Sequence, residues 1–87
     1  MKILVMCGNG LGSSFMMELN VKKVLKELGK TADVDHTDLA SAPSREADIY
    51  IATEDIMANF NKEGVTKVAL KNIMDTNELK EKLGQYL

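Results

Sequence analysis

The chain has 87 residues, 45% hydrophobic and 28% charged, with a formal net charge of −2. This length suits one domain over residues 1–87, able to bury about 60–65% of the surface its unfolded chain exposes. With 11 basic and 13 acidic residues it has no broad positive field for nucleic acid, and its single cysteine excludes an internal disulfide and a multi-cysteine metal site.

Residues 3–6 (ILVM) are a continuous apolar run, as expected of a strand buried on both faces. The run is too short for the apolar region of a signal peptide. It is far below the roughly 20 residues of a membrane span, so no direct membrane insertion is expected. A free thiol that must stay reduced suits the cytoplasm. From Ser14 a helical pattern begins, with Met17, Val21, Val24, Leu25 and Leu28 on one face. Gly29 stops it. Residues 32–37 (ADVDHT) alternate apolar and polar, which predicts an edge strand. Pro43 limits any helix in residues 38–47 to a turn or two.

Residues 48–52 (DIYIA) are the third predicted strand. Thr53 is placed to cap a helix that starts with Glu54 and Asp55 and runs to about Phe60. A turn at 61–64 leads to a fourth strand over 65–70 (VTKVAL). Asp75 or Thr76 caps a last helix carrying Leu79, Leu83 and Leu87. Strands alternating with helices imply a parallel sheet with right-handed crossovers. The order 2-1-3-4 puts the two most apolar strands inside, with helices on both faces. This is a flavodoxin-like or low-molecular-weight phosphatase-like α/β arrangement, whose ligands sit beyond the carboxyl ends of strands 1 and 3.

Cys7 lies at that carboxyl end, followed by Gly8, Asn9, Gly10, Leu11, Gly12, Ser13 and Ser14. Glycines let successive N–H groups converge into a nest for an anion. The following helix adds its free N–H groups and positive dipole end. The same field lowers a thiol pKa, and a thiolate is both a nucleophile and, once phosphorylated, a leaving group. The alternative is a buried, inert cysteine before a glycine-rich turn. The loop matches part of a dinucleotide fingerprint, but 87 residues leave no second half for nicotinamide. It lacks the Gly-Lys-Ser/Thr of a Walker A loop. In the phosphatase pattern Cys-x5-Arg-Ser/Thr, Cys7 and Ser14 fit, but Ser13 stands where the arginine belongs. That arginine stabilises the phosphoryl group for attack by water. Without it, a phosphocysteine forms yet hydrolyses slowly, a property suited to a phosphoryl carrier.

The segment VMCGNGLGSSFMM resembles the active-site segment of IIB components of the bacterial sugar phosphotransferase system (PTS), within the lactose/ascorbate/galactitol-like group and most closely its ascorbate-type branch. Lactose- and cellobiose-type segments differ after the cysteine, and galactitol-type segments lack the doubled Gly-x-Gly. Residues 71–75 (KNIMD) look like the end of strand 4 in the ascorbate branch. The resemblance implies that Cys7 takes phosphate from a phosphohistidine on a IIA partner. It implies transfer to a sugar, L-ascorbate or similar, in the membrane component IIC, with no metal or organic cofactor. A degenerate low-molecular-weight cysteine phosphatase and a non-catalytic phosphate- or nucleotide-binding module remain as alternatives.

Opposite the core stripe of the first helix, Phe15 and Leu19 form an outer face that Lys22 and Lys26 continue, a candidate docking patch for IIA and IIC. Met16 and Met17 are assigned to the core, with Met16 at the flank of this patch. Arg45 falls at the amino end of the sheet and is assigned to structure or surface contact. His36, the sole histidine, is assigned to the surface or to packing rather than to a phosphoryl relay. Glu54 and Asp55 serve a helix start, and Thr53 is a candidate donor to the phosphate loop.

Overall fold

The computed structural model describes residues 1–7, 13–72 and 75–86, with the backbone alone described for Cys7, Ser13 and Ser14. Strands β1 (Lys2–Cys7), β2 (Asp33–Asp38), β3 (Ile49–Thr53) and β4 (Thr66–Leu70) alternate with helices α1 (Ser13–Leu28), α2 (Glu54–Met57) and α3 (Thr76–Gly84). A short 3₁₀ turn, Ala42–Ser44, precedes β3. The four strands pair in parallel in the order β2-β1-β3-β4. The predicted sheet and its flavodoxin-like winding are therefore observed.

The pleat sends successive side chains to opposite faces. Ile3, Val5, Ile49, Ile51, Val68 and Leu70 meet Met17, Val21, Val24 and Leu25 of α1 and Leu79 and Leu83 of α3. On the other face Leu4, Met6, Tyr50 and Ala52 are covered by Ala42, Phe60 and the half-buried Ile56 and Met57. Cover on both sides is why β1 and β3 read as unbroken apolar runs. The buried Tyr50 is anchored through its hydroxyl, which donates to the Arg45 carbonyl at 2.5 Å and accepts from Lys62 Nζ at 3.2 Å.

Two helix boundaries differ from expectation. Helix α1 begins at Ser13, one residue earlier. Helix α2 ends at Met57, three residues short of Phe60. There the chain tightens into turns, with Asn59 N–H on the Ile56 carbonyl and Phe60 N–H on the Met57 carbonyl. This turns Phe60 into the core, 3% exposed, with its ring 4.9 Å from that of Tyr50. Burying an aromatic ring outweighs one more helical turn. Thr53 does occupy the N-cap position of α2, but its hydroxyl makes no capping bond. Asp75 does cap α3, accepting from Glu78 N–H at 3.0 Å. Leu87 lies outside the described residues, as do Ile73 and Met74. Among the described residues no helix is long and apolar enough to cross a membrane.

Candidate functional site

Cys7 is the last residue of β1 and pairs with Asp38, the last residue of β2. Thr53 ends the neighbouring strand β3. The chain leaves β1 through α1 to β2 on one side, whereas β3 lies on the other. Cys7 thus stands at the point where the winding reverses, the crevice used for ligands in open α/β sheets. Helix α1 opens there at Ser13. Ser13 and Ser14 belong to its first turn, whose N–H groups have no partner within the helix. That turn contains no acidic residue, so no side chain of its own offsets the positive end of the dipole. The loop residues Gly8, Asn9, Gly10, Leu11 and Gly12 lie outside the described residues.

Carboxylates surround this end of the sheet, each held by its own turn. Asp38 accepts from Ser41 N–H at 2.7 Å. Asp55 accepts from the Thr53 hydroxyl at 2.6 Å, and that bond holds its carboxyl below the usual range. The Thr53 hydroxyl thus has a partner in Asp55, and its candidate bond to the phosphate loop involves residues that lie outside the described ones.

On α1, Phe15 (45% exposed) and Leu19 (46%) face solvent, as periodicity predicted; Met16 faces solvent as well, which corrects its assignment to the core, while Met17 is buried. Lys22 extends this face, its Nζ 3.5 Å from Glu18 Oε2. Arg45 pairs with Asp35, which sits opposite Leu4 of β1, three residues before Cys7. Its structural assignment stands.

Glu18 is the residue that sequence reading passed over. It is 8% exposed, and Oε1 lies 3.0 Å from His36 Nδ1. A signal was available: Glu18, Val21 and Leu25 recur at i, i+3 and i+7, which puts a carboxylate beside the core stripe. Ligand atoms of Glu18, Asp35 and His36 lie within 4.8 Å of one another, a spacing that suits a metal. Lys22 and Arg45 already neutralise the two carboxylates, however, so the trio is an ion-paired cluster.

The glycine-rich segment, the reversal point and the strand order all match one kind of protein. The family model described as "PTS system, Lactose/Cellobiose specific IIB subunit" matches residues 2–85. The chain belongs to this IIB family. It is 38% identical, over 88 residues, to a protein of Mycoplasma pneumoniae named "Ascorbate-specific PTS system EIIB component"; the match covers 98% of this chain and 93% of that relative. The IIB resemblance drawn from the sequence is thereby established, along its ascorbate-type branch. As a IIB subunit the chain is a component of a sugar PTS, a phosphotransferase system. In this IIB subunit Cys7 ends a strand where the winding reverses, and the amino end of the 16-residue helix α1 opens at the same end of the sheet.

Proposed function

We propose that this IIB subunit is a cytoplasmic phosphoryl carrier that works through Cys7. The thiolate sulfur attacks phosphorus of a phosphohistidine on a IIA protein. The S–P bond forms as the P–N bond breaks, and the histidine nitrogen departs with the electron pair. A hydroxyl of a sugar bound in the membrane component IIC then attacks the same phosphorus. The S–P bond breaks, the thiolate is restored and the hydroxyl proton is released to solvent. Transfer of this kind depends on in-line positioning and on the electrostatics of the cup.

The phosphate-binding role falls to Gly8, Asn9, Gly10, Leu11, Gly12, Ser13 and Ser14, and the reading calls on no cofactor. Phe15, Leu19 and Lys22 receive the IIA and IIC partners in turn. Serine at position 13, in place of the phosphatase arginine, keeps water from competing with the sugar. The name of the Mycoplasma pneumoniae relative favours L-ascorbate or a similar sugar. The observation that carries the reading is the placement of Cys7 at the end of β1, with the amino end of α1, its first turn free of acidic residues, opening from the same crevice.

The test is phosphorus NMR and intact mass after incubation with phosphoenolpyruvate, enzyme I, HPr and a IIA protein. One thiol-linked phosphate is expected on the wild type and none on Cys7→Ser, with the fold intact. Retained transfer by Cys7→Ser refutes the nucleophile. Aryl phosphate turnover that needs Cys7 replaces the carrier with a phosphatase. Saturable phosphate binding that persists in Cys7→Ala, without transfer in the wild type, replaces it with a binding module.

A further inference from the structure

We infer that Glu18 and His36 are positioning residues for phosphoryl transfer: they clamp the first turns of α1 to β2, and so set where that helix end stands relative to Cys7. The inference deepens the phosphocysteine reading and rests on it for its functional consequence.

Glu18 is the one charged side chain in the core among the described residues. A buried carboxylate persists only where it is paired. One partner, Lys22, lies a turn along the same helix and cannot tie α1 to another element. The other, His36 Nδ1 at 3.0 Å, belongs to β2. Because a carboxylate only accepts, Nδ1 carries the proton in this bond.

The same imidazole meets the Phe15 ring edge-on, with centroids 6.0 Å apart and planes at 71°. One ring therefore engages residues 15 and 18, which i, i+3 spacing puts on one side of the helix. The strand end of the clamp is itself held. Asp35 Oδ1 accepts the His36 main-chain N–H at 2.8 Å, while Asp35 Oδ2 accepts from Arg45 at 2.5 Å. His36 pairs in register with Val5, two residues before Cys7 on β1. The clamp and the sulfur-bearing residue thus share one ladder. A shift of the α1 terminus relative to that ladder moves the donors that face the phosphoryl group. Misplacements near 1 Å are enough to slow such reactions about a hundredfold.

The experiment uses the full chain and two readouts. One is the pH profile of iodoacetamide alkylation at Cys7, which reports the field at the sulfur without any phosphoryl donor. The other is transfer from phosphorylated IIA, resolved into limiting rate and KM. His36→Ala should raise the alkylation midpoint and lower the limiting rate about tenfold or more, with the KM for IIA changed less than about threefold. His36→Asn keeps a donor near the Nδ1 position and should recover most of the loss. His36→Gln places its donor near Nε2 and should not.

Glu18→Met separates positioning from folding, since it takes the one buried charge out of the core and leaves behind only Lys22 and His36, which are exposed enough to be solvated. It should fold and still lose rate. Glu27→Gln makes a carboxylate-to-amide change in an exposed pair at the far end of α1 and should alter neither readout. An unchanged alkylation profile and limiting rate in His36→Ala and Glu18→Met overturns the inference, as does a loss confined to KM. If the wild type takes no phosphate from IIA while the midpoint still moves in these variants, the carrier reading falls and the clamp stands.

Discussion

Arg45 and Asp35 meet at 2.5 Å across the outer edge of the sheet, joining the segment after the 3₁₀ turn to the middle of β2. The chain's sole arginine is thereby committed away from Cys7, since Asp35 stands level with Leu4. The proposed carrier role gives a reason to keep a guanidinium off the phosphoryl group, since it would stabilise attack by water.

The pair predicts a pH dependence. The His36 main-chain N–H and then the Arg45 guanidinium hold the Asp35 carboxyl below the usual aspartate range. A depressed folded-state pKa adds stability above the unfolded value, and that stability is lost as pH falls through the folded one. In urea denaturation, wild type should exceed Asp35→Asn at neutral pH. The gap should close on acidification below the ordinary aspartate range. Both side chains are partly exposed, so salt should narrow the gap at neutral pH. A gap that widens on acidification would contradict the assignment.

Gly29 ends α1 with φ +69°, and Lys30 N–H returns to the Leu25 carbonyl at 2.9 Å. A Cβ here would meet nothing within 4 Å, so the cost of a side chain is conformational only. Gly29→Ala should lower stability by about 1 kcal/mol. An unchanged urea midpoint would show that the turn relaxes to negative φ.

Leu83 of α3 is fully buried and packs into the cluster shared with α1 and the sheet. Leu83→Ala should cost about 2–5 kcal/mol. The measurement is the urea midpoint at constant m-value; a loss under 1 kcal/mol would place α3 outside the cooperative core.

Phe15→Ala and Leu19→Ser remove exposed apolar area on α1. Each should raise the KM for phosphorylated IIA several-fold; Leu19→Ser should leave stability within about 0.5 kcal/mol of wild type, whereas Phe15→Ala also removes the edge contact with His36 and should lower the limiting rate as well. Equal KM values for both variants and wild type would remove the docking face from this part of the helix.

The parallel sheet, its order and the core stripe of α1 were legible in residue order. Ile3–Met6 and Ile49–Ala52 are apolar without a break because helices cover both faces, and Met17, Val21, Val24 and Leu25 repeat at the helical period. Such patterns are local, so composition along a few turns carries them. The candidate site is proposed from the same kind of signal: a cysteine at a strand end, followed by glycines and a helix start, is one contiguous run. Tertiary structure alone decided the partners of side chains far apart in the chain. Phe60 leaves its helix because Tyr50 waits across the core, and the Thr53 hydroxyl bonds Asp55 at 2.6 Å. Glu18 stays buried because β2 brings His36, 18 residues away, within 3.0 Å. A buried charge is tolerated only when its partner arrives, and which partner arrives is set by strand register, a pairing that no short window of sequence contains.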